Sequence, residues 1–206
     1  MPSLHGGTMA QIEIGRLLRA GTTGFVAGCR VNQMDAPSFG ALVSAPLDDG
    51  YAVYGLIYDI RIEDDGLVRQ LVTADNVTPE VFKDNRERRI VPVELSVLVV
   101  GYLKGGKVYH LLPPRPPLSL DLICSCNPED LVRFTSTGRF GYFRHILRAQ
   151  DVPIGEVLAA HLQEAKLAHG PDGSRWVERA TQELITLLRD DYPALIDVLG
   201  ALNEVA

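Results

Sequence analysis

The chain has 206 residues, of which 46% are hydrophobic and 22% charged, a composition typical of a soluble globular protein. The formal net charge of −6 comes entirely from residues 151–206, which carry ten acidic and four basic side chains. This balance argues against a protein that binds nucleic acid by neutralising phosphates. No apolar run reaches the roughly 18 residues that a membrane-spanning helix needs.

The first residues lack the basic start and the apolar centre of a signal peptide. We therefore expect a cytoplasmic protein whose three cysteines are reduced. Residues 1–10 are expected to be disordered or tag-like, with Met1 and Met9 as alternative native starts.

Seven strands are predicted between residues 11 and 112, most of them joined by short turns. In the first strand Ile12 and Ile14 are expected to face the core, with Leu18 as a further candidate. Gly28 is expected to mark a bulge or a bend in the second strand. Together the seven strands predict a small closed antiparallel barrel, since closure removes exposed strand edges. The predicted strands are residues 11–20, 25–31, 41–45, 51–61, 67–73, 91–103 and 107–112.

The stretch of residues 39–66 organises this barrel. Its long strand alternates, with Tyr51 and Val53 on one face and Tyr54 and Tyr58 on the other. Acidic residues at the end of this strand suggest a divalent-ion or acid–base site, but the turn sequence Asp64-Asp65-Gly66 favours a solvated hairpin tip. The acidic residues in question are Asp59, Glu63, Asp64 and Asp65.

The sequence period changes after the proline run Pro113–Pro117, because proline cannot donate to a β-ladder. The predicted fold class is α+β, with a barrel of about six or seven strands (residues 11–117) followed by an acidic α-helical domain (residues 118–206). One short helix is also expected before the boundary, with Pro79 at its first position. After the boundary, helices are predicted from the Asn127 cap, over residues 139–149, from Ile154 to before Gly170, over residues 177–188 and from Pro193.

No motif in the chain predicts catalysis. Residues 101–108 have the spacing of a phosphate-binding loop, but Val108 stands where Ser or Thr must hold magnesium. A Gly105-Gly106 hairpin turn is the better interpretation, since the residues that follow alternate as a strand. Cys124 and Cys126 lack a second ligand pair at zinc spacing, so small buried side chains are favoured over a metal site.

The sequence also predicts positions for three histidines and six other residues. His161 is expected to be a hydrogen-bonded interior or boundary histidine rather than a ligand, and His145 and His169 are expected at the surface. For the other six residues we predict an interaction surface. The alternatives are the barrel interior for the tyrosines, a solvated helix end for the arginines of residues 86–89 and a stiff spacer for the proline run that contains Arg115. These six residues are Tyr54, Tyr58, Arg86, Arg88, Arg89 and Arg115.

Two neighbouring segments carry a family resemblance. Phe39-Gly40-Ala41-Leu42-Val43 before Pro46, and then Val53-Tyr54-Gly55-Leu56-Ile57-Tyr58, resemble the HAS barrel shared by HerA-type translocases and rotary ATP synthase subunits. The resemblance covers roughly residues 11–125 and implies a collar that holds subunits in a ring and docks partners. The chain departs from HerA-type proteins after the barrel, where helices stand in place of an ATPase domain.

We therefore expect a non-catalytic assembly or adaptor protein without cofactor or metal. The resemblance implies a HerA-type ATPase or its associated nuclease as partner, or a homo-oligomer. The alternative is a small-molecule sensor or an enzyme whose site forms only in three dimensions, for example from Asp59, Arg61, His110 and one cysteine. Direct binding of nucleic acid through the 86–89 arginines is the third hypothesis.

Overall fold

The structure is a computed structural model that describes residues 12–32, 37–47, 50–62, 66, 70, 73–74, 78–81, 83 and 90–204. The strands of the described part are β1 (Ile12–Ala20), β2 (Gly24–Asn32), β3 (Leu42–Leu47), β4 (Tyr51–Ile62), β5 (Ile90–Lys104), β6 (Lys107–Tyr109) and β7 (Leu122–Ser125). They form an antiparallel sheet in the order β2-β1-β7-β3-β4-β5-β6, and β2 also pairs with β5. Six strands therefore close a barrel, and β6 is an extra strand on β5.

The helices that follow the barrel are α1 (Pro128–Thr135), α2 (Phe143–Leu147), α3 (Ile154–Ala168), α4 (Gly173–Leu187) and α5 (Tyr192–Asn203). The predicted α+β class, with a barrel first and helices after it, is confirmed. The Asn127 side chain accepts a hydrogen bond from the Asp130 amide, as its capping position predicts. The helix predicted over residues 139–149 is shorter than expected because Arg139 and Phe140 have positive φ angles.

The strand that closes the barrel is not one that the sequence predicts. Of the strand predicted at residues 67–73, Gln70 and Thr73 are helical and the other residues lie outside the described part. The seventh strand is instead β7, which pairs with β1 on one side and β3 on the other. The barrel thus does not end at Pro117: Pro113 and Pro117 are buried, and the proline run leads the chain back to the barrel wall.

The side chains of β1 expected to face the core do so only in part: Ile14 packs against the barrel interior, but Ile12 and Leu18 do not. Leu17 is fully buried, whereas Ile12 and Leu18 are exposed. The pairing with β2 skips Leu18, whose side chain lies over Gly28. A β-carbon on residue 28 would come within 3.2 Å of the Leu18 side chain. The bulge predicted at Gly28 therefore lies in the partner strand, and Gly28 makes room for it.

The alternation predicted for β4 is confirmed over its first half. Tyr51, Val53 and Ile57 face the barrel interior, while Tyr54 and Leu56 face the helices. A second bulge, at Tyr58, then shifts the register against β5, so that the following residues change face. The interior is filled with apolar side chains, mostly Val, Leu and Ile.

A second apolar core joins the outer wall of the barrel to the helices. It contains barrel residues such as Leu56 and Val100 together with helical residues such as Phe134 and Leu158. Gly40 sits at this junction with φ +80°, and a β-carbon there would lie 2.5 Å from that of Ala160 on α3. The barrel and α3 can approach this closely because residue 40 has no side chain.

Replacing Gly40 by alanine tests this close approach. We expect Gly40→Ala to lower the free energy of unfolding by roughly 2–4 kcal/mol, because left-handed strain adds to overpacking. The matched control is Gly106→Ala, since Gly106 has φ +77° but nothing within 4 Å of its missing β-carbon. The control is expected to lose only about 1–2 kcal/mol in urea unfolding. Equal losses in the two variants would show that the helix does not pack on Gly40.

Candidate functional site

The three predicted interaction residues that the structure describes differ in their exposure. Tyr54 is only 1% exposed; its ring packs on Phe134 at 5.1 Å and its hydroxyl accepts a hydrogen bond from Arg133. The guanidinium of Arg115 lies 5.8 Å above the Tyr51 ring, so the proline run is held against the barrel. Tyr58 is half-buried on the barrel wall. Arg86, Arg88 and Arg89 lie outside the described residues.

His161 occupies the interior, as predicted. Its side chain is fully buried on α3, and its Nε2 lies 3.0 Å from the hydroxyl of Tyr142. Burial lowers the pKa of His161 to about 4, so the imidazole is neutral in the folded protein at pH 7. The hydrogen bond therefore joins two uncharged groups between α3 and the turn before α2, which suits a structural role.

The surface position predicted for His145 and His169 holds only in part, since both side chains are half-buried. Nε2 of His145 donates to the His110 carbonyl oxygen at 3.2 Å, and the side chain is half-buried. The ring of His169 stacks on Trp176 at 4.9 Å, and its Nε2 lies 2.9 Å from the hydroxyl of Thr135. Both residues sit at helix junctions, where neighbouring elements cover positions that sequence periodicity leaves exposed.

The residues proposed for a three-dimensional catalytic site are not brought together. Asp59 pairs with Arg61 at the protein surface, at 2.8 Å. His110 instead is buried, donates from Nε2 to the Phe134 carbonyl and packs edge-on against Tyr142. Burial, which outweighs the hydrogen bond to Phe134, lowers the pKa of His110 to about 4. His110 therefore belongs to the core between barrel and helices.

The cysteines are poor nucleophiles in this fold. Burial raises the pKa of Cys29 and of Cys124, and burial together with the Asp130 carboxylate raises that of Cys126 far above its usual range. Among the described residues, no three His, Cys, Asp or Glu side chains are placed to hold a metal ion together. No helix of that part of the chain is long and apolar enough to cross a membrane.

The last helix carries an unusual surface. α5 has the sequence YPALIDVLGALN, in which Asp197 is the single charged residue, yet only Val198 is buried. A helix that is apolar on all sides is normally covered on all sides. Here Ile196 and Tyr192 are 50% and 69% exposed.

An apolar groove of about 590 Å³ runs beside this helix. α4 and α5 both pack on α3 but touch each other little, so the groove lies between them with α3 as its floor. Lys166 is the one charged side chain in its lining. The lining side chains include Leu162 and Lys166 from α3, Val177 and Thr181 from α4, and Ile196 and Leu199 from α5. We call this feature the helical groove.

Sequence reasoning missed the helical groove because it assigned α5 a single inner face. A signal was available: Ile196 lies off the stripe of Leu195, Val198 and Leu202, so apolar residues occur on more than one side of the helix.

Comparison with known proteins adds no family. No protein-family model matches the chain, and no curated protein matches it. The six-strand barrel agrees with the expected architecture, while the HAS-barrel resemblance stays a prediction.

The buried histidines predict a pH dependence of stability. Because the folded protein resists protonation of His161 and His110 until about pH 4, the unfolded state binds protons first as pH falls below 6.5. We expect the free energy of unfolding to fall by up to about 1.4 kcal/mol per pH unit for each histidine between pH 6.5 and 4. His161→Gln should show a shallower slope than the parent protein in urea unfolding at pH 7 to 5. The same slope in both proteins would contradict a neutral, buried His161.

Proposed function

We propose that the protein is a non-catalytic adaptor that binds an amphipathic helix of a partner protein in the helical groove. The observation that carries this proposal is the apolar surface of α5, which the rest of the chain leaves half uncovered. Exposed apolar patches of this kind mark interaction sites on soluble domains. The filled barrel interior supports a binding rather than a catalytic role, because it leaves no room for substrate there.

The shape of the helical groove favours a helix as the occupant. Its floor is one helix and its two walls are others, and the walls are separated along their length. A fourth helix laid between α4 and α5 would complete a four-helix arrangement and bury Ile196 and Leu199. An extended peptide would have no strand edge to pair with in this region.

Charge favours a different protein over a second copy of this chain. Residues 151–206 carry ten acidic and four basic side chains, so two copies of this helical region would repel each other through their net negative charge. A partner helix with Lys and Arg beside its apolar stripe would be attracted instead. Its binding is then expected to weaken as salt is added.

The identity of the partner follows from the family resemblance alone. That resemblance suggests a HerA-type translocase or its associated nuclease, and in such assemblies the barrel contributes docking or ring formation. In the proposed adaptor, the barrel would dock on that partner while the helical groove receives a helix of the partner.

A designed peptide tests the helical groove. The probe is an amphipathic helix of leucine and lysine, about 18 residues long, and we expect a Kd in roughly the micromolar range. Ile196→Glu is expected to weaken binding at least about tenfold, because a carboxylate would be desolvated in the apolar groove. Leu167→Glu is the matched control, since Leu167 is a 77% exposed leucine of α3 outside the groove lining.

Titration calorimetry of three peptides distinguishes binding in the helical groove from nonspecific hydrophobic binding. The leucine–lysine peptide should bind, while its scrambled version and a leucine–glutamate version should bind at least about tenfold more weakly. Equal binding of all three peptides, or equal loss in the Ile196→Glu and Leu167→Glu variants, would refute the helical groove as the binding site.

A further inference from the structure

A second cavity lies between the barrel wall and α2. Unlike the apolar helical groove, it is lined in part by basic side chains. It has a volume of about 530 Å³, which is within the range of small-molecule sites. Arg144, His145 and Arg148 line it on the α2 side, and Tyr58 lines it on the barrel side. We call it the cationic cleft.

The arginines of the cationic cleft have no acidic partner among the described residues. Neither Arg144 nor Arg148 forms an ion pair there, and no Asp or Glu occurs in the lining of the cavity. This is unusual in a chain whose formal net charge is −6. A guanidinium offers five donors in a planar fork that matches a phosphate group.

Two of the three basic side chains, Arg144 and His145, are held in place by one acceptor. Arg144 and His145 both donate to the carbonyl oxygen of His110, which is itself buried. Because a carbonyl only accepts, Nε2 of His145 carries the proton, and burial together with the neighbouring arginines lowers the pKa of His145, which favours the neutral ring. His145 therefore helps to fix the wall of the cleft, and the phosphate donors are the arginines. The position of Arg144 is set before any ligand arrives, which reduces the entropy cost of binding.

The barrel side of the cationic cleft is apolar. Leu98, Leu112 and the ring of Tyr58 contribute there, and Val152 closes the side next to α2. A smaller cavity of about 250 Å³ adjoins it, shares Tyr58 and Gly24 with it, and adds Arg19. The cationic groups therefore flank a surface on which a flat ring can lie.

We propose that the cationic cleft binds a small phosphorylated compound with a flat apolar part, such as a nucleoside phosphate. Arg144 and Arg148 would hold the phosphate, and the barrel wall would receive the ring. This site is independent of the helical groove, since the two share no lining residue.

Titration calorimetry with ATP, AMP, adenosine and inorganic phosphate tests the proposal. We expect ATP or AMP to bind at least about tenfold more tightly than adenosine or inorganic phosphate, because each of the latter lacks one half of the recognised chemistry. Arg148→Ala is expected to weaken nucleotide binding about tenfold, since Arg148 is exposed and its loss leaves the packing intact. Arg175→Ala is the control, because it removes an exposed arginine that lies outside the cleft.

Four outcomes would overturn the proposal. The first is the absence of binding by every phosphate compound, and the second is an equal effect of Arg148→Ala and Arg175→Ala. The third is inorganic phosphate binding as tightly as ATP, which would remove any role for the apolar wall. The fourth uses a single-stranded oligothymidylate as a further ligand. If its affinity increases with its length and exceeds the affinity of ATP, the ligand is nucleic acid and the small-molecule proposal fails.

Discussion

The four-residue strand β7 connects the two parts of this protein. It fills the gap between β1 and β3 and so closes the barrel, and the amide of Cys126 continues the ladder by donating to the Leu42 carbonyl. One residue later, Asn127 caps α1. Because the closing strand and the first helix are nearly continuous, the helical layer stays on the barrel wall as long as the barrel is closed. The shared apolar core and the Gly40 contact with α3 then fix how closely the two layers approach.

This arrangement determines which surfaces remain open. α1, α2 and α3 use their apolar faces against the barrel and one another, with an aromatic cluster that runs from Tyr54 through Phe134 to Tyr142. α4 and α5 pack on α3 rather than on the barrel, so the last helix keeps an uncovered apolar side. Next to α2, the helices and the barrel wall are far enough apart to leave a cavity. The basic residues Arg144, His145 and Arg148 line its helical side. The apolar helical groove and the cationic cleft are thus both consequences of how the helices lie on the barrel.

Local signals in the sequence predicted most elements correctly. The alternation of β4, the Gly105-Gly106 turn, the Asn127 cap and the apolar spacing of α3 depend on neighbouring residues, and the structure has each of them. β7 was missed because four residues carry no periodicity and its partners, β1 and β3, lie far away in the sequence. In β1 the inward position of Ile14 was predictable, whereas the exposed position of Leu18 was not, because a bulge there changes the register. The cationic cleft was not predictable, since Tyr58 and Arg144 become neighbours only after folding. For the helical groove, the position of Ile196 indicated a second apolar side of α5, but periodicity cannot tell which side stays uncovered.

The proposed adaptor role requires the helical groove to be open in the purified chain, and the excess of acidic residues in this region opposes self-association. Light scattering behind size exclusion, at several protein concentrations, measures whether the chain associates with itself. We expect a single species near the chain mass of 22.6 kDa at every concentration. A discrete closed ring, for example a hexamer that persists on dilution, would contradict the adaptor proposal and would favour the collar role that the HAS-barrel resemblance implies.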